Sequence, residues 1–132
     1  MLLHEGLARA LAQHQPDIVA IEEVFHAKYA RSALVLGQAR GVALLAAAQS
    51  GARVRSFAPS VIKQAVTGTG RAEKGQVGRM VQVLLGITIE GRVDASDALA
   101  AAICGLLRGR EPEVARGPQV VELRALLSRR RR

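Results

Sequence analysis

Leu3, Leu7, Ala10 and Leu11 recur at helical spacing and stop before Pro16, which predicts an amphipathic helix over residues 2–14. No capping residue stands in front of it. Ile18–Ile21 is short, continuously apolar and rich in β-branched side chains, as a buried strand requires. From about Arg31 to Ser50 a long helical pattern places Leu34, Gly37, Gly41, Leu44 and Leu45 along adjoining faces, and Gly51 is positioned to end it. Arg53–Phe57 alternates and predicts a second strand. Pro59 and Ser60 sit where a helix would start, and Val61, Ala65 and Val66 give it an apolar face as far as Thr67. Gly68–Arg71 reads as a loop. Val77, Met80, Val81, Leu84 and Leu85 follow the i, i+3, i+4, i+7, i+8 rule of a further helix, and Asp94 to Leu107 makes another.

This alternation of helices and two strands predicts an α/β layered fold around a small sheet. At 132 residues, with 49% of positions apolar, the chain is long enough for one domain with a core and too short for two full ones. Composition changes after Arg108, dividing the chain into a core over 1–108 and a linker and basic tail over 109–132. Gly109–Pro118 is linker-like, Val120–Leu127 has a short amphipathic pattern, and Arg129–Arg132 is a run of arginines. The start has neither the basic n-region nor the apolar h-region of a secretory signal, and Val42–Ala48, the longest apolar run, is far short of the roughly 20 residues of a bilayer span. A cytoplasmic protein with no membrane partner is expected.

Charge then narrows the partner. Lysines and arginines number 19 against 11 acids, a net charge of +8, which is the footprint of a protein that neutralises phosphates. Ribosomal and nucleoid proteins share it, so it does not fix an activity. Cys104 lies within an apolar helical pattern and reads as a buried thiol; with one cysteine no disulfide can form within the chain.

The candidate chemistry is acidic. Glu22 closes the run Asp17-Ile-Val-Ala-Ile-Glu22, and Asp94 and Asp97, three apart, share a face at the start of a helix. One reading of the aspartates is a cap plus a second acid favoured by the helix dipole, and Glu22 or Glu23 can be an ordinary solvated acid. The other reading joins them, because two-metal phosphodiester cleavage needs several hard oxygen ligands from different elements. Arginine outnumbers lysine about five to one, and the three lysines, Lys28, Lys63 and Lys74, fall in or beside segments that would flank this acidic site. Equally, they can be residues of solvated faces.

Five strings carry a resemblance. Ala20-Ile-Glu22-Glu-Val-Phe25-His-Ala-Lys28, Ser32-Ala-Leu-Val-Leu-Gly-Gln-Ala-Arg-Gly41-Val-Ala, Val61-Ile-Lys63-Gln64-Ala-Val, Ala72-Glu-Lys74-Gly-Gln-Val and Asp94-Ala-Ser-Asp97-Ala-Leu-Ala100 occur in one order and spacing. Together, from residue 1 to about Leu107, they resemble the RuvC family of Holliday-junction endonucleases. The resemblance implies an RNase H-like mixed sheet flanked by helices, and a homodimer that cuts opposed strands of a four-way DNA junction during recombination and repair. It implies Mg²⁺, two ions per site with Mn²⁺ as a substitute, bound by Glu22, Asp94 and Asp97 as catalytic carboxylates. Lys63 and Lys74 would act at the scissile phosphate or hold DNA near it, with Lys28 among the DNA contacts, and Phe25 would stack on a base near the crossover. The helix at about 31–50 would form the dimer contact, its Gly37 and Gly41 admitting a partner helix or packing on the chain's own sheet. A junction-binding protein and a branch-migration ATPase would be partners.

The chain also departs from the family. Members begin with a strand of Gly-Ile-Asp-Pro-Gly type whose aspartate is the first catalytic ligand, followed by two more strands, and this sequence opens inside the next helix. The expected fold is therefore truncated at its N-terminus and short of one ligand, with an unpaired strand edge at Ile18–Ile21. Two alternatives to a nuclease remain open: a junction-binding protein without catalysis, and a general basic nucleic-acid-binding module.

Overall fold

The computed structural model describes residues 2–23, 30–89 and 93–108. In chain order these form α1 (Leu2–His14), β1 (Ile18–Glu22), α2 (Ala30–Ser50), β2 (Arg53–Phe57), α3 (Pro59–Thr67), α4 (Lys74–Leu85) and α5 (Val93–Arg108). The hydrophobic pattern foretold every one of them.

β1 and β2 pair in parallel, with Ile18 opposite Arg53 and Glu22 opposite Phe57. They are the two strands of the sheet among the described residues, and the expected mixed sheet has no antiparallel member there. A parallel pair needs a crossover, which α2 supplies. α1 packs on α2, and α2 on both strands; on the opposite face α5 lies against both strands and is flanked by α3 and α4. His4 Nε2 and Gln49 Oε1, 2.8 Å apart, tie α1 to α2. Arg40 Nη2 donates to Ser56 Oγ at 3.0 Å, tying α2 to β2.

The core lies on the α5 side. Phe57, Ile62, Val66, Ala72, Val77, Val81, Ala100, Ala101, Ile103 and Cys104 form one buried cluster, with Ala20 packed against it. Small residues on α5 let it settle close to the strands: a Cβ built on Gly105 would stand 3.0 Å from the Ala20 Cβ. Cys104 is fully buried, as its helical context predicts.

Helix ends explain where the pattern and the structure part company. The strand pattern stopped at Ile21, whereas pairing carries β1 on to Glu22. α4 begins at Lys74, ahead of its first apolar anchor Val77, because Glu73 and Gln76 form a capping box. α5 begins at Val93, so Asp94 sits in its first turn and is not the residue before it, still where the helix dipole favours a carboxylate. Gly68 ends α3 in the left-handed region, φ 81°, with its N–H donating to the Gln64 carbonyl.

Candidate functional site

β1 and β2 run side by side, so their C-terminal ends open at one edge of the sheet, the place where α/β folds gather polar groups outside the packed layers. Glu22 is the last residue of β1. α3 follows β2 after one residue and carries Lys63, half-buried beside Ile62. Lys74 opens α4, and Asp94 and Asp97 occupy the first turns of α5. Four elements thus each contribute charge to one region.

The one direct contact within this group is an ion pair, Lys74 Nζ to Asp97 Oδ2 at 2.7 Å. That hydrogen bond and the aspartate's charge hold the Lys74 ammonium above its ordinary 10.5, and Asp94 and Glu22 push the same way. Desolvation raises the Glu22 carboxyl above its ordinary 4.5, although much of the side chain is exposed. The charge of Asp97 raises it further, and Lys74 and Lys63 draw it back in part. Fields of this kind reach only a short distance past a solvated surface, so Glu22, Lys63, Lys74 and Asp97 form one electrostatic unit, which Asp94 joins through Lys74.

The donors suit a hard divalent cation in kind, since all are carboxylate oxygens, and a dication would relieve the crowding of negative charge that, after desolvation, helps raise the Glu22 carboxyl. Among the described residues, however, no three acidic, histidine or cysteine side chains lie close enough together to hold an ion. Asp97 spends one oxygen on Lys74 instead.

Two supports of the site were not anticipated from sequence. Ser96, buried between the two aspartates in the chain, faces α4, where a Cβ on Gly78 would stand 3.3 Å from its Oγ. This close approach sets the α5 N-terminus beside the α4 N-terminus, and so Asp97 beside Lys74. The second is the capping box, whose Glu73-x-x-Gln76 spacing is visible in the sequence. Phe25 and Lys28 lie outside the described residues, as do the linker, Val120–Leu127 and the Arg129–Arg132 tail.

On the other side of the sheet, nothing among the described residues lies within 4 Å of a Cβ built on Gly37 or Gly41. A side chain at either position would not meet β1 or β2. Leu34, 68% exposed, and Val35, 57% exposed, extend this open face. No helix among the described residues is long and apolar enough to cross a membrane. A cleft of about 640 Å³ lies elsewhere, between the ends of α1 and α2 and the start of the strands, lined by Leu11, Pro16, Asp17, Gln49 and Arg53 among others. None of the five charged residues of the site lines it.

A layered α/β core with carboxylates at the C-terminal edge of its sheet and an α-helix contributing two of them defines an RNase H-like protein. Solved structures agree: Thermus thermophilus RuvC superimposes with a TM-score of 0.73 at 34% identity, covering 82% of this chain and 66% of that one. T. thermophilus RuvC in complex with Holliday junction substrate gives 0.71 at 30% identity, over 82% and 65%. The family model described as crossover junction endodeoxyribonuclease RuvC matches residues 1–105, and the chain belongs to that family. Crossover junction endodeoxyribonuclease RuvC of Citrifermentans bemidjiense is 54% identical over 99 residues, 75% of this chain and 60% of the relative. That of Halorhodospira halophila is 51% identical over 102 residues, 77% of this chain and 61% of the relative. The chain thus spans about three fifths of the length of these relatives.

Proposed function

We propose that the chain carries the greater part of a structure-specific endodeoxyribonuclease that resolves Holliday junctions in recombination and DNA repair by symmetric, Mg²⁺-dependent phosphodiester hydrolysis. The observation that carries this is the convergence of Glu22, Lys63, Lys74, Asp94 and Asp97 from four elements into one electrostatic unit, in a chain of net charge +8.

Glu22, Asp94 and Asp97 are the residues that would hold metal. Mg²⁺, two ions per site with Mn²⁺ as a substitute, would supply charge stabilisation at the phosphate and an activated water. The chain's own groups do the rest. With three carboxylates against two ammonium groups, the site is net negative by itself and would repel DNA. Lys63 and Lys74 reduce that repulsion and act on the scissile phosphate as point charges. Lys74, largely exposed and paired with Asp97, can turn from carboxylate to phosphate without crossing buried structure. Phe25 and Lys28 follow β1 in the chain and would meet the junction beside the cut, by base stacking and phosphate contact. The arginine-rich surface binds the junction arms, and residues 109–132 act as a linker and basic tail that add nonspecific affinity.

The working form is a homodimer, whose two sites face opposed strands, with α2 as the contact helix. Its open Gly37 and Gly41 surface supports that assignment. In a cytoplasmic pathway, a junction-binding protein would present the substrate and a branch-migration ATPase would move it. One observation favours a second reading, junction binding without cleavage: among the described residues no three donors gather into a metal-holding set.

Cleavage and gel-shift assays with Mg²⁺, on a synthetic four-way junction beside linear duplex, decide between them. Symmetric nicks that vanish in Asp94→Asn support the nuclease. Junction-selective binding without nicks supports the second reading, and equal binding to all nucleic acids reduces the chain to a basic binding module.

A further inference from the structure

Lys74 is 64% exposed along its side chain, yet its ammonium is held 2.7 Å from Asp97. A lysine with so little packing around it has four rotatable bonds to spend, so its aim must be set from its root. That root is the first residue of α4. Ahead of it, Ala72 is buried in the core and Gly70 passes so close to α3 that an added Cβ would stand 3.1 Å from the Ser60 carbonyl oxygen. Behind it, Val77 is the first buried residue of α4. Between these anchors the chain must change from extended backbone at Glu73, φ −72° and ψ 155°, to helix at Lys74. The Glu73 N–H donates to Gln76 Oε1 at 2.9 Å, closing that corner, while the Glu73 carbonyl accepts from the Gln76 N–H at 3.0 Å and from the Val77 N–H at 3.1 Å.

We propose that Gln76 is a positioning residue: by fastening the Glu73–Lys74 corner it aims the Lys74 ammonium at Asp97. Gln76 is exposed and touches none of the site's charged groups in a described contact, so its effect passes through the backbone of Glu73 and Lys74. The meaning for catalysis rests on the nuclease reading given above; the geometric claim does not.

The test follows the Lys74 Nζ–H signal by NMR in the 132-residue chain. Asp97→Asn and Lys74→Arg serve to assign the signal, and the amides of Val77 and Val81 report whether α4 is folded. Gln76→Ala removes the acceptor, and Gln76→Asn leaves a polar group one methylene too short to reach back. Gln76→Glu restores an acceptor of the right length, since capping boxes take either residue at this position. The expected result is loss of the slowly exchanging Lys74 signal in the alanine and asparagine variants, with α4 amides retained and the signal recovered in the glutamate variant. On a four-way junction, kcat should then fall roughly tenfold with KM within about twofold, the scale of losing a supporting contact.

A Lys74 signal that persists in either shortened variant overturns the proposal, as does its loss in Gln76→Glu with α4 intact. If the alanine variant melts α4, the asparagine variant decides. A wild-type chain that shows the ammonium signal but cuts no junction sinks the nuclease reading alone.

Discussion

Gly105 of α5 lies so near Ala20 of β1 that a Cβ added to the glycine would meet the alanine's Cβ at 3.0 Å. Neither atom belongs to a flexible side chain, so the crowding cannot be relieved by a rotamer change. Gly105→Ala should therefore destabilise the fold by about 1–3 kcal/mol, the usual cost of overpacking, outweighing the helix propensity it gains. Denaturant melts would check this, and a stabilised variant would show that α5 sits further from the sheet.

The opposite sign is expected on α2. Among the described residues nothing stands where the Gly41 Cβ would be, so Gly41→Ala should gain about 0.5–1 kcal/mol in the monomer by helix propensity alone. Gly41→Leu should leave the monomer folded and weaken the proposed self-association, read by light scattering after size-exclusion chromatography across a dilution series. Unchanged association would remove α2 from the dimer contact.

Glu22 offers a titration with a defined sign. Its folded carboxyl is raised above 4.5 by desolvation first and Asp97 second, so this group favours the folded state most below that value. Its contribution declines as pH rises from about 4.5 through the folded pKa and is level above it. Asp97→Asn should lower the Glu22 pKa and Lys74→Gln should raise it, both measurable from the Glu22 carboxyl carbon by NMR. Movement in the reverse sense for either variant would mean that the groups do not share one field.

Asp97→Asn also separates stability from function. The substitution breaks the ion pair with Lys74, which is exposed and worth at most about 1 kcal/mol, and it relieves Glu22 of a like charge. Melting should shift little or upward, while the junction cleavage proposed above should be lost. A large loss of stability would recast the pair as structural.

The elements were legible because each has a distinct hydrophobic rhythm. β-branched Ile18 to Ile21 could hardly read as anything but a strand, and Val77, Val81 and Leu84 mark one helical face. Periodicity also placed Cys104 in the core. The site was legible in a different way. Spacing puts Asp94 and Asp97 on one face of a helix, but the pairing of Asp97 with Lys74 and its field at Glu22 depend on how α5 packs against α4 and β1, where Gly78 approaches Ser96 and Gly105 approaches Ala20. Such contacts between distant small residues leave no periodic trace. The resemblance to a family supplied the grouping that patterns within one chain could not. Lys74 pairing with Asp97 had no local signal at all, because the two lie 23 positions apart on separate helices.

The burial of Cys104 makes the chain its own reporter of core opening. The chain has one thiol, and it is wholly enclosed in the cluster that α5 closes over. A reagent can modify it only in those moments when α5 lifts away, so the labelling rate, divided by that of an exposed thiol, gives the opening equilibrium directly. Because α5 also carries Asp94 and Asp97, the same clock reads how often the acidic edge comes apart, with no dye, tag or engineered cysteine.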